Sequence, residues 1–147
     1  MTEPRRVLVV EDSADDREAI ERALRASHPD LLVEFVADGA DGLARLRDRT
    51  APRPALVLLD LNMPGADGYT VLSRLRAEPA AAELTVVVFT SSTASSDIDR
   101  CYAAGADSYI YKPVDFTLFR TVLQGAVDYW LEQDRDDEEP DGPPPLG

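Results

Sequence analysis

Five polar residues stand directly behind apolar runs of this chain, and their types suit chemistry at phosphorus. Glu11 and Asp12 follow Val7-Leu8-Val9-Val10, and Asp60 closes Leu56-Val57-Leu58-Leu59. Thr90 follows Leu84-Thr85-Val86-Val87-Val88-Phe89, and Lys112 follows Tyr109-Ile110-Tyr111. Three carboxylates brought within a few ångströms repel one another and raise their own pKa values unless a cation sits between them. Mg²⁺ is the natural remedy, because it takes a few carboxylates, a carbonyl and several waters. With such an ion bound, Asp60 keeps an oxygen free to attack phosphorus, as carboxylates do in aspartyl-phosphate chemistry. The Lys112 ammonium and the Thr90 hydroxyl could then hold phosphoryl oxygens, one by charge and the other by a hydrogen bond. No general base or substrate pocket is evident.

These residues act together only if the chain brings the run ends to one rim. The run before Asp60, with Pro52 and Pro54 ahead of it and Pro64 and Gly65 after it, suits a strand covered on both faces. Similar runs at Val7–Val10, Leu32–Val36, Leu84–Phe89 and Tyr109–Tyr111 predict four more strands. Apolar residues at helical spacing predict helices over Ala14–Ser27, from Gly39 to about Arg49, over Tyr69–Ala77 and Asp97–Ala104, and from about Asp115 to Gln133. Asp12 and Ser13 supply capping side chains for the first of these. Strict alternation of strand and helix predicts an α/β fold with right-handed crossovers, the flavodoxin-like (βα)5 doubly wound parallel sheet in strand order 2-1-3-4-5. That order gathers the ends of strands one, three, four and five.

The 147 residues suit one domain. A net charge of -13, from 28 acids and 15 bases, disfavours nucleic acid and anionic membrane as partners. No apolar run approaches the roughly 20 residues that span a bilayer. Lone Cys101 cannot close an internal disulfide, so a cytoplasmic protein is expected. His28, before Pro29, and Cys101 both read as structural.

Glu11-Asp12, Asp60-Leu61-Asn62-Met63-Pro64 with Asp67-Gly68, Thr90-Ser91 and Lys112-Pro113 together resemble the receiver domains of two-component response regulators. The resemblance spans roughly residues 5 to 130. It implies a receiver domain, taken over residues 1–133; the acidic, proline-rich stretch 134–147 has almost no apolar content and is expected to be a disordered tail, so no output domain is expected. Asp60 would take a phosphoryl group from a phosphohistidine on a sensor histidine kinase. Asp12, Asp60 and the Asn62 carbonyl would ligate Mg²⁺, Glu11 would hold metal-bound water, and Lys112 and Thr90 would contact the phosphoryl group. Tyr109 matches the switch aromatic that turns inward with Thr90, while Asn62 and Ser92 match positions that tune hydrolysis. A cis Lys112-Pro113 bond is implied. Asp60-Leu61-Asn62-Met63-Pro64 and the ending Gly125-Ala126-Val127-Asp128-Tyr129-Trp130-Leu131 are similar to regulators partnered with phytochrome-type photoreceptor kinases. Ala66 stands where the family often has a larger apolar residue.

Each residue also has an ordinary reading: Asp12 as a cap, Asp60 as a turn former, Thr90 as a cap, Lys112 as a solvated charge, Tyr109 as core. Joint occurrence at four strand ends is what capping does not require. An aspartate-nucleophile phosphatase of the haloacid-dehalogenase type is the rival from another class, but it carries an acid where this chain has Asn62. A degenerate receiver acting as a constitutive binding module is a second rival. On the last helix, Phe119, Leu123, Val127 and Trp130 can face the sheet. Leu118, Val122, Gly125 and Tyr129 then form a second line, which predicts a homodimer through helix four, strand five and helix five. The chain is expected to modify itself and to lose the phosphoryl group slowly, without turnover on an external substrate.

Overall fold

The computed structural model describes residues 4–61, 68–81, 83–91 and 94–137. Five strands, β1 (Arg6–Val10), β2 (Leu32–Val36), β3 (Leu56–Asp60), β4 (Thr85–Thr90) and β5 (Ser108–Tyr111), form one parallel sheet in the order β2-β1-β3-β4-β5. The connecting helices are α1 (Ala14–Ser27), α2 (Gly39–Arg47), α3 (Gly68–Ala77), α4 (Ser95–Ala103) and α5 (Phe116–Asp137). The flavodoxin-like arrangement expected from the alternation is therefore the one observed.

Strand period 2 sorts the apolar residues into two cores. Leu8, Val10, Val57, Leu59, Val86 and Val88 meet Leu43 and Leu46 of α2, Leu72 and Leu75 of α3, and Cys101 of α4. Val7, Val9, Leu56, Leu58, Val87 and Phe89 meet Ile20, Ala23 and Leu24 of α1 and Phe119, Leu123, Val127 and Leu131 of α5. All five residues of β3 are buried, which is why that run lacks alternation. On α5, Leu131 takes the fourth position of the inner stripe and Trp130 lies half-buried beside it.

Local boundaries depart from the sequence reading in physically simple ways. Ser13 caps α1 by accepting from the Asp16 N–H at 3.3 Å, while Asp12 stays exposed and caps nothing. Asp48 ends α2 at Arg47, two residues early, by accepting from the Thr50 N–H. A 3-10 turn at Pro79–Ala81 follows α3. The last helix continues to Asp137, past the expected end at Gln133, through a stretch with no proline or glycine to stop it. The rest of the expected tail, 138–147, lies outside the described residues.

His28 closes α1, its N–H bonding the Leu24 carbonyl at 2.7 Å and its ring facing Asp128. Cys101 is fully buried, and burial pushes its thiol pKa up, so it is core. Among the described residues no helix is long and apolar enough to cross a membrane.

One arginine fastens the end of the sheet opposite the acids. Arg76 at the end of α3 donates to the carbonyls of Gly105 (2.6 Å), Ala81 (3.1 Å) and Leu84 (2.6 Å) and to the Asp107 carboxylate. Asp107 also accepts the Val86 N–H at 2.8 Å. Gly105 sits at φ 113°, a conformation glycine favours, and packs directly on the Arg76 stem. Removing the guanidinium strands several carbonyls, so Arg76→Ala should lower unfolding free energy in urea by about 2–4 kcal/mol. A change below about 0.5 kcal/mol would contradict this role.

Candidate functional site

The topology selects the site before any side chain is considered. Strand order reverses between β1 and β3, and in open parallel sheets the crevice at such a switch point, outside the strand carboxyl ends, is the binding place. Val10 pairs with Leu59, so the next residue on each strand, Glu11 and Asp60, ends level with the other. Asp60 pairs with Phe89, placing Thr90 one step further, and Thr90 pairs with Tyr111, placing Lys112 one step beyond that. The five predicted residues thus rise as a staircase along one rim.

Strand parity divides them. Asp60 shares its face with Leu56 and Leu58, toward α1 and α5, whereas Thr90 shares its face with Val86 and Val88, toward α4. Lys112 Nζ lies 3.4 Å from Asp60 Oδ2, 3.6 Å from Glu11 Oε2 and 5.3 Å from the centre of the Phe89 ring. It also pairs with the Asp16 carboxylate on the first turn of α1. Lys112, Asp60, Glu11, Asp12 and Asp16, with Ser13, Ser91, Pro113 and Val114, line a cleft of about 480 Å³. Burial opposes the Lys112 charge, but the carboxylates around it more than offset this and hold its pKa above the ordinary lysine value.

Glu11, Asp60 and Thr90 are the buried polar residues of the core, at 0, 2 and 1% exposure. Glu11 Oε1 accepts the Ser13 N–H at 2.9 Å, and Glu11 Oε2 is buried without a hydrogen-bond partner. Burial, reinforced by Asp60 alongside, pushes the Glu11 pKa up to about 8. One oxygen each from Glu11, Asp12 and Asp60 lies within 4.8 Å of the others. A buried carboxylate oxygen without a hydrogen bond, beside two converging carboxylates, fits a hard divalent cation, whose charge would relieve the repulsion.

Tyr109 packs against the α2–α4 core, and its hydroxyl is buried with no partner among the described residues. Its ring is turned inward. Asn62, Ser92 and the Met63-Pro64 turn lie outside the described residues. The Lys112-Pro113 bond is trans, as are all peptide bonds of the described residues. The cis bond implied by the resemblance is thus not found, in keeping with the usual trans preference of about 0.5–1 kcal/mol before proline. Asp16 was missed in the sequence; its signal was a carboxylate one helical turn after Asp12.

A doubly wound sheet with paired buried acids at its switch point, and a lysine beside them, is the arrangement of the phosphoacceptor modules of signalling. The response regulator receiver domain model matches residues 7–124, and the chain belongs to that family. It is thus a phosphoacceptor of two-component signalling, a class whose partners are histidine kinases. The response regulator Rcp1 of Synechocystis sp. is 32% identical over 133 residues, covering 88% of this chain and 90% of its own. The probable methanogenesis regulatory protein FilR2 of Methanothrix harundinacea is 34% identical over 134 residues, covering 88% and 85%. Among solved structures, the phosphorylated cyanobacterial phytochrome response regulator RcpA superposes with a TM-score of 0.80 at 32% identity, over 88% of this chain and 95% of its own. Mn²⁺-bound Rcp1 gives 0.78 at 32% identity, over 88% and 96%.

The raised Glu11 pKa sets a pH signature. Folded chain keeps a proton on Glu11 that unfolded chain loses, so its contribution to stability falls as pH rises from 4.5 to about 8. In EDTA, the melting temperature of the chain relative to Glu11→Gln should fall across that window, and millimolar Mg²⁺ should flatten the fall. Parallel profiles for the two proteins in EDTA would show that Glu11 does not titrate in this way.

Proposed function

We propose that this chain is a phosphorylation-dependent switch in which Asp60 is the phosphoacceptor. The observation that carries the reading is the placement of the Asp60 carboxylate, buried at the switch point, with the Lys112 ammonium 3.4 Å away. An Asp60 oxygen forms a bond to phosphorus of a kinase phosphohistidine, the P–N bond breaks, and the imidazole leaves with its electron pair and takes a proton. Lys112 and Thr90 hold the phosphoryl oxygens as charge redistributes. Glu11, Asp12, Asp60 and the carbonyl of Asn62 would hold Mg²⁺, which when bound supplies positive charge against the phosphoryl oxygens.

Similarity to Rcp1 and RcpA supports a sensor histidine kinase of the phytochrome type as the donor. The receiver, expected over 1–133, extends to the end of α5 at Asp137 and acts in the cytoplasm, with 138–147 as a tail. The switch joins Thr90 to Tyr109, whose unpartnered hydroxyl leaves the ring free to change place when Thr90 does. The output is a binding surface. Tyr102 on α4, Tyr111 on β5, Val114, and Phe116, Leu118 and Tyr129 on or beside α5 are large apolar residues left exposed. With half-buried Val122 and exposed Gly125 they support a homodimer through α4, β5 and α5.

Incubation with Mg²⁺ and acetyl phosphate should add one phosphoryl group to the intact mass, and Asp60→Asn should abolish the adduct. No adduct at any Mg²⁺ concentration would favour the constitutive binding module, and rapid turnover of phosphomonoesters would favour the phosphatase. Sedimentation at micromolar concentration should show a dimer that Leu118→Arg dissociates. A monomer with and without beryllofluoride would contradict the dimer.

A further inference from the structure

We propose that Asp16 is the nearest resting partner of Lys112, drawing its ammonium toward the mouth of the cleft while it keeps its longer contacts with Asp60 and Glu11, so that a cation can enter among Glu11, Asp12 and Asp60. The inference rests on the metal and phosphoryl roles proposed above and adds a residue those roles do not include.

Of the three carboxylates near Lys112 Nζ, Asp16 makes the closest pairing, ahead of Asp60 at 3.4 Å and Glu11 at 3.6 Å. The fold builds this contact. Ser13 caps α1 and fixes the Asp16 backbone through its N–H, which aims the first helical turn over the cleft. Lys112 directly follows β5, whose Ile110 packs on the α1 and α5 side of the sheet. Asp16 and Lys112 therefore approach from helix and strand on one face.

The difference in exposure between the partners gives the contact its consequence. The Asp16 side chain is 37% exposed, while those of Glu11 and Asp60 are 0 and 3% exposed. An ammonium settled on the two buried acids would occupy the charge that a cation needs, and leaving them would strand buried carboxylates. An ammonium settled on Asp16 leaves a partner that water can solvate, so release costs little. Once Asp60 carries a phosphoryl group, its oxygens offer Lys112 stronger acceptors than one solvated carboxylate. Asp16 is thus a positioning residue acting through Lys112, not a metal ligand.

Without Asp16, Lys112 should move further onto Asp60 and Glu11, which it already meets at 3.4 and 3.6 Å, and repel the incoming ion more strongly. Calorimetric titration of the full chain with MgCl₂ reads this without any phosphoryl transfer. Asp16→Asn should raise the Mg²⁺ Kd about three- to tenfold, and Asp16→Glu, which keeps a carboxylate in reach, should restore most of the affinity. In a Lys112→Met background, Asp16→Asn should change the Kd by less than about 1.5-fold, because the effect runs through the ammonium. Circular dichroism and melting curves establish that each variant is folded before titration. An unchanged Kd in Asp16→Asn, or the same loss with and without Lys112, would overturn the proposal; the second outcome would make Asp16 a plain through-space charge. No Mg²⁺ binding by the unaltered chain would remove the metal from the proposed function and this inference with it. An Asp60 adduct with no Asp16 effect on Kd would leave that function standing and reject only this inference.

Discussion

Two carboxylates, Glu11 and Asp60, are driven into the protein interior at the ends of neighbouring strands, with one Glu11 oxygen left without a hydrogen bond. Burial of an unpaired charge is among the costliest arrangements a fold can hold, so the pair needs protons or cations nearby. The molecule meets that need in two ways. Glu11 holds its proton to about pH 8, and Lys112 sits within 3.6 Å of both acids. A divalent ion would neutralise the cluster more fully than either. The sheet around it is fixed by two apolar cores, so the acids cannot relax by moving apart.

Strand parity gives the switch its two sides. Asp60 and Lys112 face α1 and α5, whereas Thr90 and Tyr109 face α4. The Lys112 N–H donates to the Thr90 carbonyl at 2.8 Å, so the lysine and the threonine are tied through the backbone at the rim. Under the proposed function, chemistry on one face is felt on the other through Thr90, whose carbonyl accepts the Lys112 N–H. Arg76 clamps Gly105 just past the end of α4, near the opposite edge of the sheet. The Gly105 end of α4 is thereby anchored.

Most of this was legible in the sequence because strands buried on both faces announce themselves as unbroken apolar runs. The residue that ends each run is then, by topology, a rim residue, and Glu11, Asp60, Thr90 and Lys112 were found that way. Asp16 was not, because a first-turn acid on a charged helix reads as a solvated complement to the helix dipole. Arg76 was invisible for a similar reason: it bonds mainly to carbonyls, which carry no sequence signature. The length of α5 was underestimated because the apolar stripe stops at Leu131, whereas the backbone continues without it to Asp137.

Under the proposed function, a carboxyl oxygen of Asp60 itself becomes bonded to phosphorus. Borohydride reduction tests it directly, because an acyl phosphate is reduced to homoserine and a phosphoester is not. After phosphorylation with Mg²⁺ and acetyl phosphate, reduction and peptide mapping should place homoserine at position 60 and at no other position. Phosphate resistant to borohydride on Thr90 or Ser91, or homoserine at position 12, would contradict the assignment of the nucleophile.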